Sequence, residues 1–295
     1  MDQTSVDLAP LAQEGYAHLR SVIPAGKTSA ARDHLIDAYN REHIQLINKN
    51  VFPAYSLSNP WPSDPAELAR ILSETPNHSV LDICTSHGSV SVEARLHSAI
   101  LDLVVDNKAI LDFLQHVFGK DLSFYCHLAP AARVIYPGNS IAIVPDHIDA
   151  GYNSHITTRD GLAISAKSRL PFVTLWIPLQ GHPSTHGGLR VYPDTFIHNT
   201  VLSDHRSSLW IPPITSSGLK SVIPSYSIGD CIAFHPWLLH GSAPSQTLTT
   251  NQLTENDLRV SVDIRVFSSA SITTKHYMNM ITGERYKPGE GPCAH

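Results

Sequence analysis

The feature that most constrains the fold is a series of short, β-rich segments in the second half of the chain. After Lys120, eight or nine short segments are rich in β-branched and aromatic residues, and Pro/Gly turns separate them. Long helices do not intervene, which argues against βαβ units and favours a sandwich or jelly roll. The predicted strands are Leu122–Leu128, Ala132–Tyr136, Ser140–Val144, Leu162–Ala166, Phe172–Pro178, Leu189–Tyr192, Ser221–Tyr226, Asp230–Phe234 and Arg259–Val266.

The first 120 residues are predicted to be mainly helical. From Ala30 to Asn48 the apolar residues recur at three- and four-residue steps, so we expect a helix with Ser29 as its N-cap. Val92–Val104 and Asn107–Phe118 are two further predicted helices, and Gly119 has the position of a C-cap for the second.

One domain is expected to span residues 1–295. No repeat, low-complexity tract or obvious linker divides the chain, and one β barrel or sandwich can reach about 200–250 residues. We expect helical support in 1–120, a jelly-roll core in 121–267 and a C-terminal extension in 268–295. The fold class is therefore mainly β with flanking helices. The apolar residues of the extension favour packing on the barrel or on a partner, which leaves a homodimer open.

Composition and residue spacing argue against several classes of partner and site. The net charge of −5 gives no reason to expect nucleic acid as a partner. No apolar stretch approaches the roughly 18 residues of a membrane span, and the acidic N-terminal residues do not resemble a secretory signal. We therefore expect a cytoplasmic protein. The four cysteines are widely spaced and form no C-x-x-C pair, which argues against a zinc ribbon.

A histidine and an aspartate two residues apart are the first candidate for chemistry. His147 and Asp149 would face the same side of a strand or its end, and a distant strand could add His240. Two imidazoles and one carboxylate on one face of a metal form the triad of non-haem Fe(II) oxygenases. A short H-x-D motif also occurs by chance, and the competing interpretation of His147 is a strand-end histidine bonded to a neighbour.

Three further motifs give the chain a resemblance to a known family. His186–His198 (HGGLRVYPDTFIH) resembles the "N-G-x-L-x-V-x-P-G-S-H" segment of the phytanoyl-CoA dioxygenase-like family. Gly229–Pro244 (GDCIAFHPWLLHGSAP) is similar to its "G-D-x-x-x-F-…-L-x-H-x-S-x-P-N" segment, and Glu14–Arg20 (EGYAHLR) to its first strand. With the H-x-D motif, the resemblance runs in order over roughly residues 14 to 267. It implies a double-stranded β-helix that uses Fe(II), 2-oxoglutarate and O₂.

The resemblance also implies roles for individual residues. His147, Asp149 and His240 would be the iron ligands, whereas His235 lies five residues too early and is interpreted as a strand-end histidine. The family places an arginine after the distal histidine to bind the far carboxylate of 2-oxoglutarate. Gln246–Asp257 is interpreted as an enlarged polar loop before that arginine.

Two arginines on the closing strand are candidates for that anchor. A guanidinium suits bidentate carboxylate binding, so Arg259 and Arg265, which share a strand parity, are both chemically able. Arg259 is favoured because it fits the family's "R-x-S/A" frame once the enlarged loop is removed. Arg265 remains the alternative.

Other residues are candidates for cosubstrate and substrate contacts. Thr174 and Trp176 would point the same way from one strand, as a hydroxyl for a carboxylate and as a wall of the pocket. Trp176 could equally be a core residue, and Tyr136 is a weaker candidate on the strand before the H-x-D motif. The polar segment after that motif gives three substrate candidates, although it could also be a solvated loop. They are Tyr152, Asn153 and Arg159.

These observations predict an Fe(II)/2-oxoglutarate-dependent dioxygenase. Such an enzyme would oxidise a small organic molecule, usually by hydroxylation, and release succinate and CO₂; the substrate is expected to be a natural-product biosynthetic intermediate. The alternative is a cupin-like metal-dependent isomerase or small-molecule-binding protein. That protein would keep His147 and His240 but would need no arginine on the closing strand, so dependence on 2-oxoglutarate separates the two hypotheses.

Overall fold

The computed structural model describes residues 9–48, 90–135, 144–153, 156–158, 170–181, 188–193, 195, 218–243 and 259–294. In these ranges six helices are seen, and two of them are longer than six residues. The helices are α1 (Ala9–Glu14), α2 (Ala25–Asn48), α3 (Val92–Arg95), α4 (Ser98–Leu101), α5 (Lys108–Phe118) and α6 (Asp149–Tyr152). No helix in the described part of the chain is both long and apolar enough to cross a bilayer.

Short strands make up most of the remaining described structure. They are β1 (Tyr16–Leu19), β2 (Phe124–His127), β3 (Ala131–Ile135), β4 (Ile156–Thr158), β5 (Val173–Gln180), β6 (Leu189–Val191), β7 (Cys231–Phe234), β8 (His240–Ser242), β9 (Arg259–Ser268), β10 (Ser271–Thr273), β11 (Tyr277–Asn279) and β12 (Arg285–Tyr286). Most predicted strands agree with these bounds to within two residues.

An antiparallel sheet of eight strands forms the centre of the fold. Its order is β1-β7-β5-β9-β2-β11-β12, and β3 also pairs with β9. Two smaller sheets, β4 with β10 and β6 with β8, complete the described β structure. This is a mainly β jelly roll with helices around it, so the predicted fold class is confirmed. Strands from outside the predicted core region (121–267) also belong to this sheet. Strand β1, which precedes that region, pairs with β7, and β11, which follows it, pairs with β2.

The long strand β9 separates an apolar face from a polar one. Val260, Val262 and Ile264 are fully buried and belong to the same core as Leu35 and Ala38 of α2. Because side chains alternate along a strand, the residues between them face the opposite way, into the space between the sheets. That inner face carries the polar side chains Arg259, Ser261, Asp263 and Arg265.

Two helix predictions are wrong in detail. Helix α2 begins at Ala25, so Ser29 lies inside the helix and is not its N-cap. Its first five residues (AGKTS) show no apolar periodicity, which made the predicted start too late. The predicted helix Val92–Val104 is two short helices, because the side chain of His97 accepts a hydrogen bond from the Ala99 amide and caps α4. Helix α5 does end at Gly119 as predicted, with Asn107 as its N-cap.

One predicted strand is wrong, and two others cannot be compared. Ser221–Tyr226 forms only an isolated bridge between Val222 and Val191, and Pro224 has no amide hydrogen to continue a ladder. Leu162–Ala166 lies outside the described residues, as does Ser140–Val144 except for Val144.

The C-terminal extension packs on the sheet of its own chain. Tyr277 of β11 is fully buried; its hydroxyl donates to the carbonyl of Glu290 (2.6 Å) and accepts from the Cys293 amide (2.9 Å). These contacts fold residues 277–293 back on themselves beside β2.

The packing of α2 on the outer face of the sheet gives a first prediction. Leu35→Ala removes a fully buried side chain from this interface, and we expect the free energy of unfolding to fall by about 2–5 kcal/mol. The matched control is Asp37→Ala on the exposed side of the same helix, which should change it by less than about 0.5 kcal/mol. Equal losses in denaturant titrations of the two variants would contradict this packing.

Candidate metal centre

The site begins with two backbone hydrogen bonds between distant parts of the chain. The His147 amide donates to the His240 carbonyl (2.8 Å), and the His240 amide donates to the His147 carbonyl (3.0 Å). This antiparallel bridge places the two imidazole rings 4.2 Å apart between their centroids. Both residues are buried. The pairing therefore brings together histidines that are 93 positions apart in the sequence.

Each imidazole is oriented by a backbone carbonyl. Nδ1 of His147 lies 2.8 Å from the Pro145 oxygen, and Nδ1 of His240 lies 2.9 Å from the Leu238 oxygen. A carbonyl oxygen can only accept, so Nδ1 of each ring donates and Nε2 keeps its lone pair. Outer contacts of this kind orient histidines that bind metals through Nε2.

Asp149 provides a carboxylate opposite the two rings. It begins α6 and is fully buried. Its Oδ1 lies 3.8 Å from Nε2 of His147 and 4.0 Å from Nε2 of His240. One ligand atom from each of the three residues lies within 4.8 Å of the others, and no other such group occurs among the described residues. Two imidazole nitrogens and one carboxylate oxygen are a donor set that first-row divalent metals take.

Charge and burial set the protonation states at this centre. Burial, followed by the charge of His240, lowers the pKa of His147 to about 3, so its ring is neutral and able to bind a metal. Burial alone would raise the pKa of Asp149. The positive charge of Arg265 and its hydrogen bond outweigh that effect, and the pKa of this carboxyl is held below its usual range.

Arg265 and Thr174 hold the carboxylate of Asp149 from the inner face of the large sheet. Nη2 of Arg265 lies 2.7 Å from Oδ1 of Asp149, and the Thr174 hydroxyl donates to Oδ2. Thr174 and Arg265 are opposite each other in the register of β5 and β9. The predicted contact of Thr174 with 2-oxoglutarate stays a prediction, since the hydroxyl is bonded to Asp149 here.

The neighbouring carboxylate of Asp146 fixes the segment that carries His147. Arg190 donates to its Oδ1 (2.7 Å) and the Tyr192 hydroxyl to its Oδ2 (2.8 Å). Gly241 lies against this carboxylate: a Cβ at position 241 would be 2.5 Å from Oδ1 of Asp146 and 3.2 Å from its Cα. The close approach of the two segments therefore requires glycine here.

A small cationic cavity adjoins the histidines. It measures about 30 Å³, and its charged lining residues are Arg133, Arg259, Asp263 and Arg265. Arg259 is buried and donates to the Ser242 hydroxyl (3.2 Å), two residues after His240. Burial lowers the pKa of Arg259 to about 10, which leaves it charged at neutral pH. Ligand pockets usually measure hundreds of Å³, so the side chains that line this cavity must move to admit an organic ligand.

The other predicted site residues have different positions. Trp176 lines the cavity and also packs edge-on against Tyr226, with ring centroids 4.9 Å apart. Asn153 is buried, and its side-chain amide donates to the Asp149 carbonyl (3.0 Å), so it stabilises the α6 turn. Tyr136 and Arg159 lie outside the described residues, as does the side chain of Tyr152.

Sequence reasoning missed several residues of this site. Asp146 directly precedes the predicted ligand His147, and Ser242 lies two residues after the predicted ligand His240. Ser242 is the serine of the "H-x-S" motif, so the motif could have identified it. Tyr226 lies against Trp176, and burial raises the pKa of its hydroxyl to about 12. The ion pair between Asp149 and Arg265 joins residues 116 positions apart, and no local pattern marks it.

Comparisons with known proteins identify the fold. No protein-family model and no curated protein sequence matches the chain. The non-haem monooxygenase ThoJ in its apo form has a TM-score of 0.53 at 13% identity, over 94% of this chain and 85% of that chain. The ThoJ–Ni complex has a TM-score of 0.51 at 14% identity, over 97% and 89%.

A third structure is more distant. The epimerase SnoN, in complex with Fe3+, alpha ketoglutarate and nogalamycin RO, has a TM-score of 0.45 at 16% identity, over 90% of this chain and 83% of that chain. A TM-score of 0.45 is too low to support a fold assignment. Both ThoJ structures, with TM-scores of 0.53 and 0.51, support the jelly-roll assignment.

The close approach at Gly241 gives a second prediction. Gly241→Ala should displace Asp146 and the adjacent His147, and we expect Ni²⁺, an air-stable probe, to bind at least about tenfold more weakly. Gly26→Ala is the control, because a Cβ at that helical position meets nothing within 4 Å. Isothermal titration of both variants tests this, and native affinity in Gly241→Ala would contradict the geometry.

A third prediction concerns His235, which is not among the three clustered groups. It is buried, its Nδ1 accepts from the Trp237 amide (3.1 Å), and burial lowers its pKa to about 3. The unfolded chain, with a histidine pKa near 6.5, binds this proton more readily, so the folded state loses stability as the pH falls below about 6.5.

His235→Gln removes this titration. We expect the dependence of unfolding free energy on pH, between about pH 4 and 6, to become less steep by up to about 1.4 kcal/mol per pH unit. Urea titrations across that range measure the slope. The same slope in both proteins would show that the histidine is protonated in the folded state.

Proposed function

We propose that the chain is a non-haem, Fe(II)- and 2-oxoglutarate-dependent oxygenase of the phytanoyl-CoA dioxygenase-like family. The observation that carries this proposal is the buried group of His147, Asp149 and His240 beside a cationic cavity with a buried arginine. Three protein ligands on one side of an iron leave positions open for a cosubstrate and O₂.

The cavity supports an anionic cosubstrate. Three guanidinium groups and one carboxylate line it, so a dianion that bridges from the metal to the cavity wall would be electrostatically favoured. Arg259 is the proposed anchor for the far carboxylate, because Arg265 is paired with Asp149. The Ser242 hydroxyl accepts from Arg259. The buried Ser261 hydroxyl, which has no hydrogen-bond partner among the described residues, lies on the same face of β9 as Arg259.

Different residues of the chain would bind the metal, orient the cosubstrate and exclude water. His147, Asp149 and His240 would hold the metal, and Arg259 would orient the cosubstrate. When bound, Fe(II) with 2-oxoglutarate and O₂ supplies the oxidising chemistry and yields succinate and CO₂. Trp176, which lines the cavity, and Phe234, whose ring centroid lies 4.4 Å from that of His240, would exclude water from the reacting centre.

A monooxygenase reaction on a small organic molecule is the proposed outcome. ThoJ, whose fold the chain shares, is a non-haem monooxygenase, and hydroxylation of a biosynthetic intermediate is the corresponding reaction here. Tyr152 and Arg159 remain the proposed substrate contacts. A cytoplasmic location stays a prediction, and whether the protein forms a homodimer stays open.

A cupin-like isomerase or binding protein is the competing proposal. It would use His147 and His240 but would have no role for a buried arginine on the closing strand. Burying Arg259 to 4% exposure is costly, which favours the use of 2-oxoglutarate. Succinate formation from 2-oxoglutarate with Fe(II) and O₂, without a substrate, is the direct test. Metal binding without any succinate would favour the competing proposal.

The proposed anchor gives a fourth prediction. Arg259→Gln loses a charge-assisted pair with the far carboxylate, and we expect the half-saturating concentration of 2-oxoglutarate to rise at least about tenfold. Ni²⁺ affinity should change little. Succinate formation as a function of 2-oxoglutarate concentration measures the effect.

Arg133→Gln is the matched control for that variant. Arg133 lines the same cavity but lies 3.8 Å from Asp263, so its loss removes the same charge without removing the proposed anchor. We expect a change of less than about threefold. A larger effect in Arg133→Gln than in Arg259→Gln would transfer the anchor to Arg133.

A further inference from the structure

The carboxylate of Asp149 is held at both oxygens by the large sheet. Oδ1 lies 2.7 Å from Nη2 of Arg265, and Oδ2 accepts from the Thr174 hydroxyl. The two partners are opposite each other in neighbouring strands, so the register of β5 and β9 determines this arrangement. Asp149 and Thr174 are fully buried, and the Arg265 side chain is 15% exposed.

The oxygen that binds Arg265 is also the one that faces the histidines. Oδ1 is the carboxylate atom at 3.8 Å and 4.0 Å from the two Nε2 atoms. A divalent metal at the usual 2.0–2.2 Å from three such ligands would therefore bind Oδ1, because Oδ2 is turned to Thr174. The metal and the guanidinium would share a single oxygen.

Two cations that contact the same buried oxygen repel each other strongly, because the low dielectric of the protein interior screens their charges only weakly. A fully buried carboxylate with no cation is also unfavourable. Arg265 therefore has opposite effects on two properties: it stabilises the folded chain when no metal is bound, and it competes with a metal for Asp149.

We propose that Arg265 is a built-in counter-ion of the metal centre, a positioning residue that compensates Asp149 without metal and lowers the affinity of the site for a divalent ion. This inference rests on the proposed metal site. Thr174 contributes by holding Oδ2, so that Asp149 presents one oxygen and occupies one coordination position. Movement of Arg265 away from Oδ1 would also enlarge the small cavity, whose wall it forms.

The test measures affinity and stability on the same variants. Ni²⁺ is titrated calorimetrically into the chelator-treated protein (residues 1–295) near neutral pH, and the melting temperature is measured with and without Ni²⁺. For Arg265→Gln we expect binding at least about tenfold tighter than native. Without metal, its melting temperature should fall by roughly 5–10 °C.

Arg133→Gln distinguishes the specific contact from the general charge of the cavity. It removes one positive charge from the same lining at a residue whose ion pair is with Asp263, and we expect its Ni²⁺ affinity to change by less than about threefold. Equal tightening in both variants would overturn the proposal, because net charge alone would then explain the result.

The remaining outcomes separate failure of this inference from failure of the proposed metal site. Weaker or unchanged Ni²⁺ binding in Arg265→Gln, together with a lower melting temperature, would make Arg265 merely structural and overturn the inference. If native protein binds Ni²⁺ with one-to-one stoichiometry, that failure leaves the proposed function standing. If native protein binds no Ni²⁺, the proposed metal site itself fails, and the inference fails with it.

A double variant covers the case in which Arg265→Gln does not fold. Asp149→Asn combined with Arg265→Gln removes both charges, so no uncompensated buried charge remains. We expect this protein to fold and to melt at a higher temperature than Arg265→Gln. A double variant that is equally unstable would overturn the counter-ion role.

Discussion

The backbone bridge between His147 and His240 is the constraint on which the site depends. Its two hydrogen bonds join the segment before α6 to β8 and place the two histidines side by side. The neighbouring contacts reinforce it: Ser242 donates its amide to the Val144 carbonyl (3.0 Å), and Asp146 is held by Arg190 and Tyr192. Carbonyl contacts to each Nδ1 then aim both Nε2 atoms at the same point.

The large sheet supplies the other half of the centre. Strand β9 packs Val262 and Ile264 against α2 on one face and turns Arg259 and Arg265 inward on the other. Because both faces belong to a single strand, the packing that stabilises the fold also fixes the backbone positions of the two arginines. The arginines have different partners, Asp149 for Arg265 and Ser242 for Arg259, which suits them to different tasks at one cavity.

Sequence alone located part of this arrangement. The same-side parity of His147 and Asp149 and the motif around His240 were enough to propose three groups that the structure brings together. Strands of three residues, such as β8 and β10, were too short to show an alternating pattern. The break between α3 and α4 came from a capping histidine within a sequence of helical periodicity.

Long-range register explains what the sequence could not reveal. Thr174 meets Arg265 across β5 and β9, and this pairing decides that both contact Asp149. Either residue could equally have faced a cosubstrate as judged from its own strand. Strand parity is readable from a single sequence, whereas the register between strands is set by the packing of the whole sheet.

The most direct test of the account is an anaerobic titration of the metal-free protein with Fe(II) and then 2-oxoglutarate, followed through the weak visible charge-transfer absorption of the chelate. The account predicts an absorption band that appears only when both are present and that is absent from His147→Ala. Stoichiometric Fe(II) binding with no band on adding 2-oxoglutarate would contradict it, because the metal centre would then serve a different chemistry.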